Sequence, residues 1–475
     1  MTRRIIVVGG GISGLAAAHR LVELKEEQSL DVEIILLEAS PRIGGAITTE
    51  RIGDFLIEAG PDSFITEKPS ALKLCERLGL ASDLVSTQAA YQRIHIVHNG
   101  KLELLPEGFF LLAPTRLWPF IQSPLFSLAG KLRIASELFL PRKNSNADDE
   151  SLGSFVRRRF GAEALERVAQ PLMGGIYASD PDKLSLSATM PRFLEMERKQ
   201  RSVIYALWSA QRSRRHEAGS GARWSLFVTP AGGMERFVDA IARRLPEGCV
   251  RPDSRVHTLR FDETQKTWRM MIDRDEAIEA AGVVLATPAY KAADLIAPLA
   301  SDAAAQLNQI SYASTATVSL AFKRADFPKP PESFGFVVPA TEKRKIIACT
   351  FSSLKYPGRA PEGTILLRAF VGGSLQPELF SDDDDTMQRS VRSEIANLLG
   401  VGAEPILSRI WRHPNSMPQY HVGHEERIER VQATLRPFPS LALAGSAYSG
   451  VGISDCVRTG EEAAEAVIQA IGNRQ

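Results

Sequence analysis

An apolar run that breaks into three consecutive glycines constrains this chain more than any other feature. Residues 5–14 read IIVVGGGISG, and the spacing G-x-G-x-x-G is filled by Gly9, Gly11 and Gly14, with Gly10, Ile12 and Ser13 between them. At a strand-to-helix junction the first glycine permits the tight turn, and the second lets backbone approach a pyrophosphate with no Cβ in the way. The third lets the helix pack closely on the strand, and the helix N-terminus offers N–H groups to the anion. Leu15, Leu21, Val22 and Leu24 share one face of the helix that follows. Residues 32–37 read as a second strand and end in Glu38, an acceptor placed for a ribose 2′-hydroxyl and against a 2′-phosphate. The pattern predicts a βαβ dinucleotide site.

NAD and FAD both fit that motif, and the next residues lean towards FAD. Ala39-Ser40-Pro41-Arg42-Ile43-Gly44-Gly45-Ala46 places a second glycine pair behind an arginine able to neutralise a phosphate. A long, bent flavin nucleotide needs such a side-chain-free loop. Gly60-Pro61-Asp62-Ser63 supplies a further turn whose backbone suits a ring system. At the far end, a short apolar strand at 441–444 leads into GSAYSGVGISD (445–455) and an alanine-rich helix. Strand, small-residue loop and helix start again describe an anion site, suited to the N1/C2=O side of a reduced flavin. The two ends of the chain are therefore expected to meet around one cofactor.

The 475 residues suffice for two or three domains, and 44% hydrophobic with 24% charged residues is an ordinary globular composition. A net charge of +1 gives no electrostatic sign of nucleic-acid binding. Cys75, Cys249, Cys349 and Cys456 are scattered without framework spacing, as expected of reduced thiols in a cytoplasmic protein. Arg3-Arg4 and the apolar run superficially mimic a signal peptide, but the glycines interrupt it. No stretch reaches the ~18 apolar residues of a membrane span. The segment 109–140 is rich in Phe, Trp and Leu. It reads as a buried entrance wall, with contact to a membrane surface as the second reading. The oligomeric state, monomer or homodimer, stays open.

These patterns predict an α/β (α+β) chain. Its Rossmann-like nucleotide domain is discontinuous (1–80, 225–290 and 430–475). A mixed-sheet substrate domain (171–224 and 291–429) and a helical subdomain (81–170) complete it. The run Arg157-Arg158-Arg159 reads as a solvated helix face, and 212–223 as a polar loop. Asp382 to Asp385 reads as the start of a helix. His413, His421 and His424 lack partners at zinc spacing, so no metal site is assigned. No Gly-x-Ser-x-Gly elbow is present, and no general base is identified.

Several segments together resemble the flavin-dependent porphyrinogen oxidases of haem biosynthesis. They are GGGISGLAAAHRL from Gly9, EASPRIGG from Glu38, GPDSF from Gly60, QPLMGGIYASDPDKLS from Gln170, SMPQYHVGH from Ser416 and GVGISDCVRTG from Gly450. The first and last belong to the wider amine-oxidase-like flavoproteins, whereas the Gly174–Ala178 segment and SMPQYHVGH are more specific. The resemblance is to the soluble branch, whose substrate is coproporphyrinogen III, more than to the membrane-bound branch acting on protoporphyrinogen IX. It implies an amine-oxidase-type FAD domain and a six-electron oxidation in three rounds on one non-covalently held FAD, with O2 consumed and H2O2 released. It also implies FAD contacts from Gly9, Gly10, Gly11, Ile12, Ser13, Gly14, Glu38, Ala39, Arg42, Gly45, Ala46, Gly60, Pro61, Asp62, Ser63, Val256, Val451, Gly452 and Ile453. Lys68 would meet a substrate propionate, and Gly174, Gly175, Ile176 and Tyr177 would wall the cavity. The rivals are an amine oxidase or carotenoid-type desaturase and, from another class, a non-catalytic lipid-escort relative.

Overall fold

Five parallel strands form the sheet on which the site is built. Across the sheet they run Val250–Arg251, Val32–Leu37, Arg3–Val8, Gly282–Leu285 and Leu441–Leu443. The structure is a computed structural model describing residues 3–110, 113–143, 149–217 and 226–472. Ile5 and Val7 enter a core shared with the helices Ile12–Glu27 and Ile453–Gly472. Ile6 and Val8 enter a second core on the opposite face, with Trp268, Met270 and Ile278. The latter three belong to a small antiparallel sheet of Val256–Asp262, Thr267–Ile272 and Glu276–Ala280. Burial on both faces explains why the parallel strands are continuous apolar runs.

Val8, Leu37, Leu285 and Leu443 stand in one row across this sheet. The loops that begin at Gly9, Glu38, Ala286 and Ala444 therefore all leave from the same carboxyl edge, where open α/β sheets bind ligands. First and last segments of the chain so converge. Their helices also touch, since a Cβ at Gly460 would lie 2.2 Å from the Ser13 carbonyl oxygen.

A second, seven-stranded mixed sheet has the order Leu407–Pro418, Tyr312–Lys323, Thr364–Gly372, Ala348–Thr350, Gly335–Val337, Ile94–His98, Lys101–Leu104. One face packs Val318, Leu320 and Leu367 against Met387, Val391 and Ile395 of the helix Asp384–Leu399. Asp383 caps that helix, its carboxylate accepting from the Thr386 amide at 2.8 Å. The other face turns Thr317, Arg368 and His413 towards Ala59 and Gly60.

Four expectations need correction. The span 81–170 is not wholly helical: its strands Ile94–His98 and Lys101–Leu104 form a hairpin at the edge of the mixed sheet. Asn99 and Gly100 both have positive φ (51° and 75°), as a two-residue hairpin turn requires. The expected boundary at 170/171 falls inside a helical run reaching Tyr177. The helix Val203–Glu217 runs into the expected 212–223 loop, of which 218–223 lie outside the described residues. Finally, the arginine run is not a uniformly solvated face. Arg157 pairs with Asp182 at the surface, but Arg159 is fully buried against Glu137.

The segment 109–140 has two faces. Phe120, Leu125, Phe126 and Ile134 are buried, whereas Trp118, Leu128 and Phe139 are 68%, 76% and 79% exposed, so a buried wall describes only one of them. Among the described residues no helix is long and apolar enough to cross a membrane. All four cysteines are buried free thiols.

Candidate active site

Gly9 leaves the first strand with φ 106°, and a Cβ there would sit 2.7 Å from the Ala286 carbonyl oxygen. Gly14 is tighter, at 1.8 Å from the Gly9 carbonyl oxygen. Gly11 differs from both. Its backbone is ordinary extended (φ −69°, ψ 176°), and a Cβ on it would meet nothing within 4 Å. Gly11 caps the helix Ile12–Glu27 without a side-chain hydrogen bond, and the space beside its Cα is open. This is a cradle that a side chain would fill, which is the shape a diphosphate needs. The residues present fit a dinucleotide.

Glu38 borders the cradle, its carboxylate accepting from the Gly10 amide (2.6 Å) and the Ser40 amide (2.8 Å). The Ala39–Ala46 loop folds back over the glycines through the Gly44 amide, which donates to the Gly10 carbonyl at 2.7 Å. The Arg42 guanidinium donates to the carbonyls of Ile43, Ile47 and Gly45. The structure thus places it as a brace of this loop. Val256 starts its strand just past Ser254, whose amide donates to the Glu38 carbonyl at 2.8 Å.

The Gly60–Ser63 turn rests on buried charge. Arg368 donates to the carbonyls of Glu58 (3.0 Å) and Gly60 (2.6 Å) and lies 3.3 Å from Asp62. Lys355 reaches both Asp62 oxygens at 3.0 Å. Burial alone would raise the Asp62 carboxyl, but Lys355 and Arg368 overcome it and hold Asp62 ionised, well below the usual carboxylate range. Arg359, with Glu58 at 3.6 Å, completes the cluster. Sequence reasoning missed these cations. The one available signal was an arginine inside the apolar strand TILLRAFVG.

At the other side of the crevice the loop before the helix Ile453–Gly472 carries Val451 and Gly452. Asp455, in the first turn of that helix, is 8% exposed and binds the Lys68 ammonium at 2.6 and 2.9 Å. Lys68, 55% exposed, is thus tethered to the first turn of the last helix. Gly174, Gly175, Ile176 and Tyr177 form the last turn of the helix Gln170–Tyr177, which stops at Ala178 in the left-handed region (φ 50°). Gly175 lies against Val337, and Ile176 is 46% exposed. Burial, then Asp455, push the Tyr177 phenol up to about 12. His424 is a buried imidazole stacked on Tyr420, which burial holds at about 4. No group of three His, Cys, Asp or Glu among the described residues is arranged to hold a metal.

Fold and crevice define an amine-oxidase-type flavoprotein architecture. The family described as flavin containing amine oxidoreductase matches residues 12–468. A coproporphyrinogen III oxidase of Bacillus subtilis is 34% identical over 97% of both chains. The chloroplast protoporphyrinogen oxidase 1 of Arabidopsis thaliana is 28% identical over 98% of this chain and 88% of its own. A crystal structure from Exiguobacterium superposes with a TM-score of 0.86 at 31% identity, covering 99% of each chain. The chain belongs to the flavin-containing amine oxidoreductases and, within them, to the porphyrinogen oxidase family.

Proposed function

We propose that this chain is an FAD-dependent oxidase of porphyrinogens that prefers coproporphyrinogen III. The observation that carries the reading is the identity to coproporphyrinogen III oxidases, 34–35% and almost end to end, through cofactor loops and substrate sheet alike. Gly9 to Gly14 would hold the diphosphate, Glu38 and Ala39 the ribose, and Arg42, Gly45 and Ala46 the closing loop. Gly60 to Ser63 and Val451 to Ile453 would flank the ring, and Val256 would lie beneath the adenine. Binding would be non-covalent, since none of the four cysteines sits in a matching attachment motif. Bound there, FAD supplies a two-electron acceptor that O2 restores. Three rounds take six electrons and six protons from the porphyrinogen, and three O2 leave as three H2O2.

The chain's own task is positioning in a site closed to water. Gly174 and Gly175 keep the helix end flat where a macrocycle must pass. Tyr177, at about 12, stays a phenol near neutral pH. Lys68 has three N–H donors, of which Asp455 engages only part, so one is left for a propionate.

The reading is tested by comparing kcat/KM for coproporphyrinogen III and protoporphyrinogen IX on the FAD-loaded protein. The expected preference for the four-carboxylate substrate is about tenfold or more, ~1.4 kcal/mol. Preference for the two-carboxylate substrate, or oxidation of neither, would overturn it. Lys68→Ala should raise KM for coproporphyrinogen about tenfold, the worth of one charged hydrogen bond. An unchanged KM removes Lys68 from the site.

A further inference from the structure

Tyr420 lies two residues past the strand Leu407–Pro418. Its ring is 1% exposed and stacked on His424, with centroids 3.9 Å apart and planes at 12°. Its hydroxyl donates to the Ser446 carbonyl at 2.6 Å and accepts from the Gly450 amide at 2.7 Å. His424 Nε2 donates to the Tyr448 carbonyl, between those two points, at 3.1 Å. The loop they grip has no regular structure, and Gly445 and Gly450 adopt φ 136° and 113°. Its polar backbone groups must find partners outside itself. Tyr420 and His424 are two of those partners; the others are Thr459, whose hydroxyl accepts from the Gly445 amide at 3.2 Å, and Arg458, which donates to the Ser449 carbonyl at 2.6 Å.

Gln419, one residue earlier, faces the other way. It is 3% exposed, and its Nε2 donates to the carbonyls of Tyr177 (3.2 Å) and Met417 (3.0 Å). Its Oε1 accepts from the hydroxyls of Ser179 (2.5 Å) and Ser374 (2.9 Å). Both donors and both lone pairs are therefore committed. Consecutive residues just past the strand Leu407–Pro418 thus hold the loop 446–450 on one side and the end of the helix Gln170–Tyr177 on the other. The Tyr420 hydroxyl has both roles taken, and burial lifts its ionisation far above the ordinary range, so it is no proton donor to a ligand.

We propose that residues 419–424 form a strap with two separable positioning roles. Tyr420, backed by His424, sets the loop 446–452 against the flavin, and Gln419 sets the Gly174–Tyr177 wall against the porphyrinogen. The proposal rests on the assignment of that loop to FAD and of that wall to substrate. Its test is a double dissociation on the full-length protein, read as FAD Kd by flavin fluorescence and coproporphyrinogen KM in the loaded enzyme. Tyr420→Phe removes only the hydroxyl and should raise FAD Kd about tenfold, leaving KM within about twofold. Gln419→Met should raise KM about fivefold and leave FAD Kd unchanged. If both variants move the same constant, or neither moves its own, the strap is refuted.

Gly452→Val separates the proposal from the assignment beneath it. A Cβ at Gly452 meets only Asp455 Oδ2, at 3.4 Å, so it crowds the loop's open side without touching the strap. An unchanged FAD Kd in Gly452→Val rejects the loop as a flavin contact. A raised Kd there with none in Tyr420→Phe rejects the strap alone. If Tyr420→Phe folds poorly, His424→Gln against His424→Leu carries the same test. Glutamine keeps a donor for the Tyr448 carbonyl and should hold FAD more tightly than leucine, and equal Kd values would count against the strap.

Discussion

Gly11→Val yields a folded protein that purifies without flavin. The backbone at Gly11 is extended with negative φ, which valine adopts readily. A Cβ there has no neighbour within 4 Å, so nothing in the protein resists it. Apoprotein stability should stay within about 1 kcal/mol of the parent, the cost of a poorer helix cap. The branched side chain nevertheless occupies the open space beside Gly11, at the start of the helix Ile12–Glu27. FAD affinity should fall at least a hundredfold, about 2.7 kcal/mol. Flavin-to-protein ratio and fluorescence titration read the loss, and full stoichiometric FAD would show that the cradle is not the phosphate site. Gly14→Ala makes the contrast, because its Cβ would stand 1.8 Å from the Gly9 carbonyl. That variant loses stability as well as flavin. One glycine serves the ligand and the other the fold.

What was legible in the sequence follows from how local each feature is. The glycine spacing, the strand before it and the helix after it are contiguous, and their joint geometry is nearly forced by backbone sterics. That the last loop shares an edge with the first was readable only because strand–loop–helix recurs at 441–455, an inference from type that the register of Val8, Leu285 and Leu443 makes concrete. The hairpin at Asn99-Gly100 carried its own two-residue turn signal, but its strands are short and lie in a stretch otherwise dominated by helix. Other features have no local signal. Arg368 and Lys355 meet Asp62 across 306 and 293 positions, and Tyr420 meets Ser446 across 26. Charge and hydroxyl look solvated in sequence, and only tertiary pairing reveals them as buried. The motif SMPQYHVGH was conspicuous as a word, yet its physical meaning lies in which carbonyls Gln419, Tyr420 and His424 reach.

The same non-locality sets the second large effect, Glu137→Ala. Glu137 and Arg159 are both fully buried. Glu137 Oε1 accepts from Arg159 and from the Val203 amide at 2.8 Å, and Oε2 accepts from the Ser202 hydroxyl (2.5 Å) and the Ile204 amide (3.3 Å). One carboxylate thus neutralises a buried guanidinium and closes the N-terminus of the helix Val203–Glu217. Its removal leaves Arg159 with carbonyl partners at Pro141 and Arg201 and with Glu197 at 3.6 Å. A broken buried pair costs about 3–5 kcal/mol, and the residual Glu197 places this one near about 3. Replacing both partners, Glu137→Leu with Arg159→Met, should recover the part of that loss that comes from the unpaired guanidinium, while the Val203 and Ile204 amides stay uncapped. Denaturant midpoints of the two variants and the parent measure both effects. The helices so joined pack in one core with Leu172 and Met173, the residues just before Gly174 and Gly175. Glu137→Ala should therefore raise KM for porphyrinogen at a temperature where the protein is still folded. A loss below about 1 kcal/mol, or a double variant as unstable as the single, would show that Arg159 does not depend on this carboxylate.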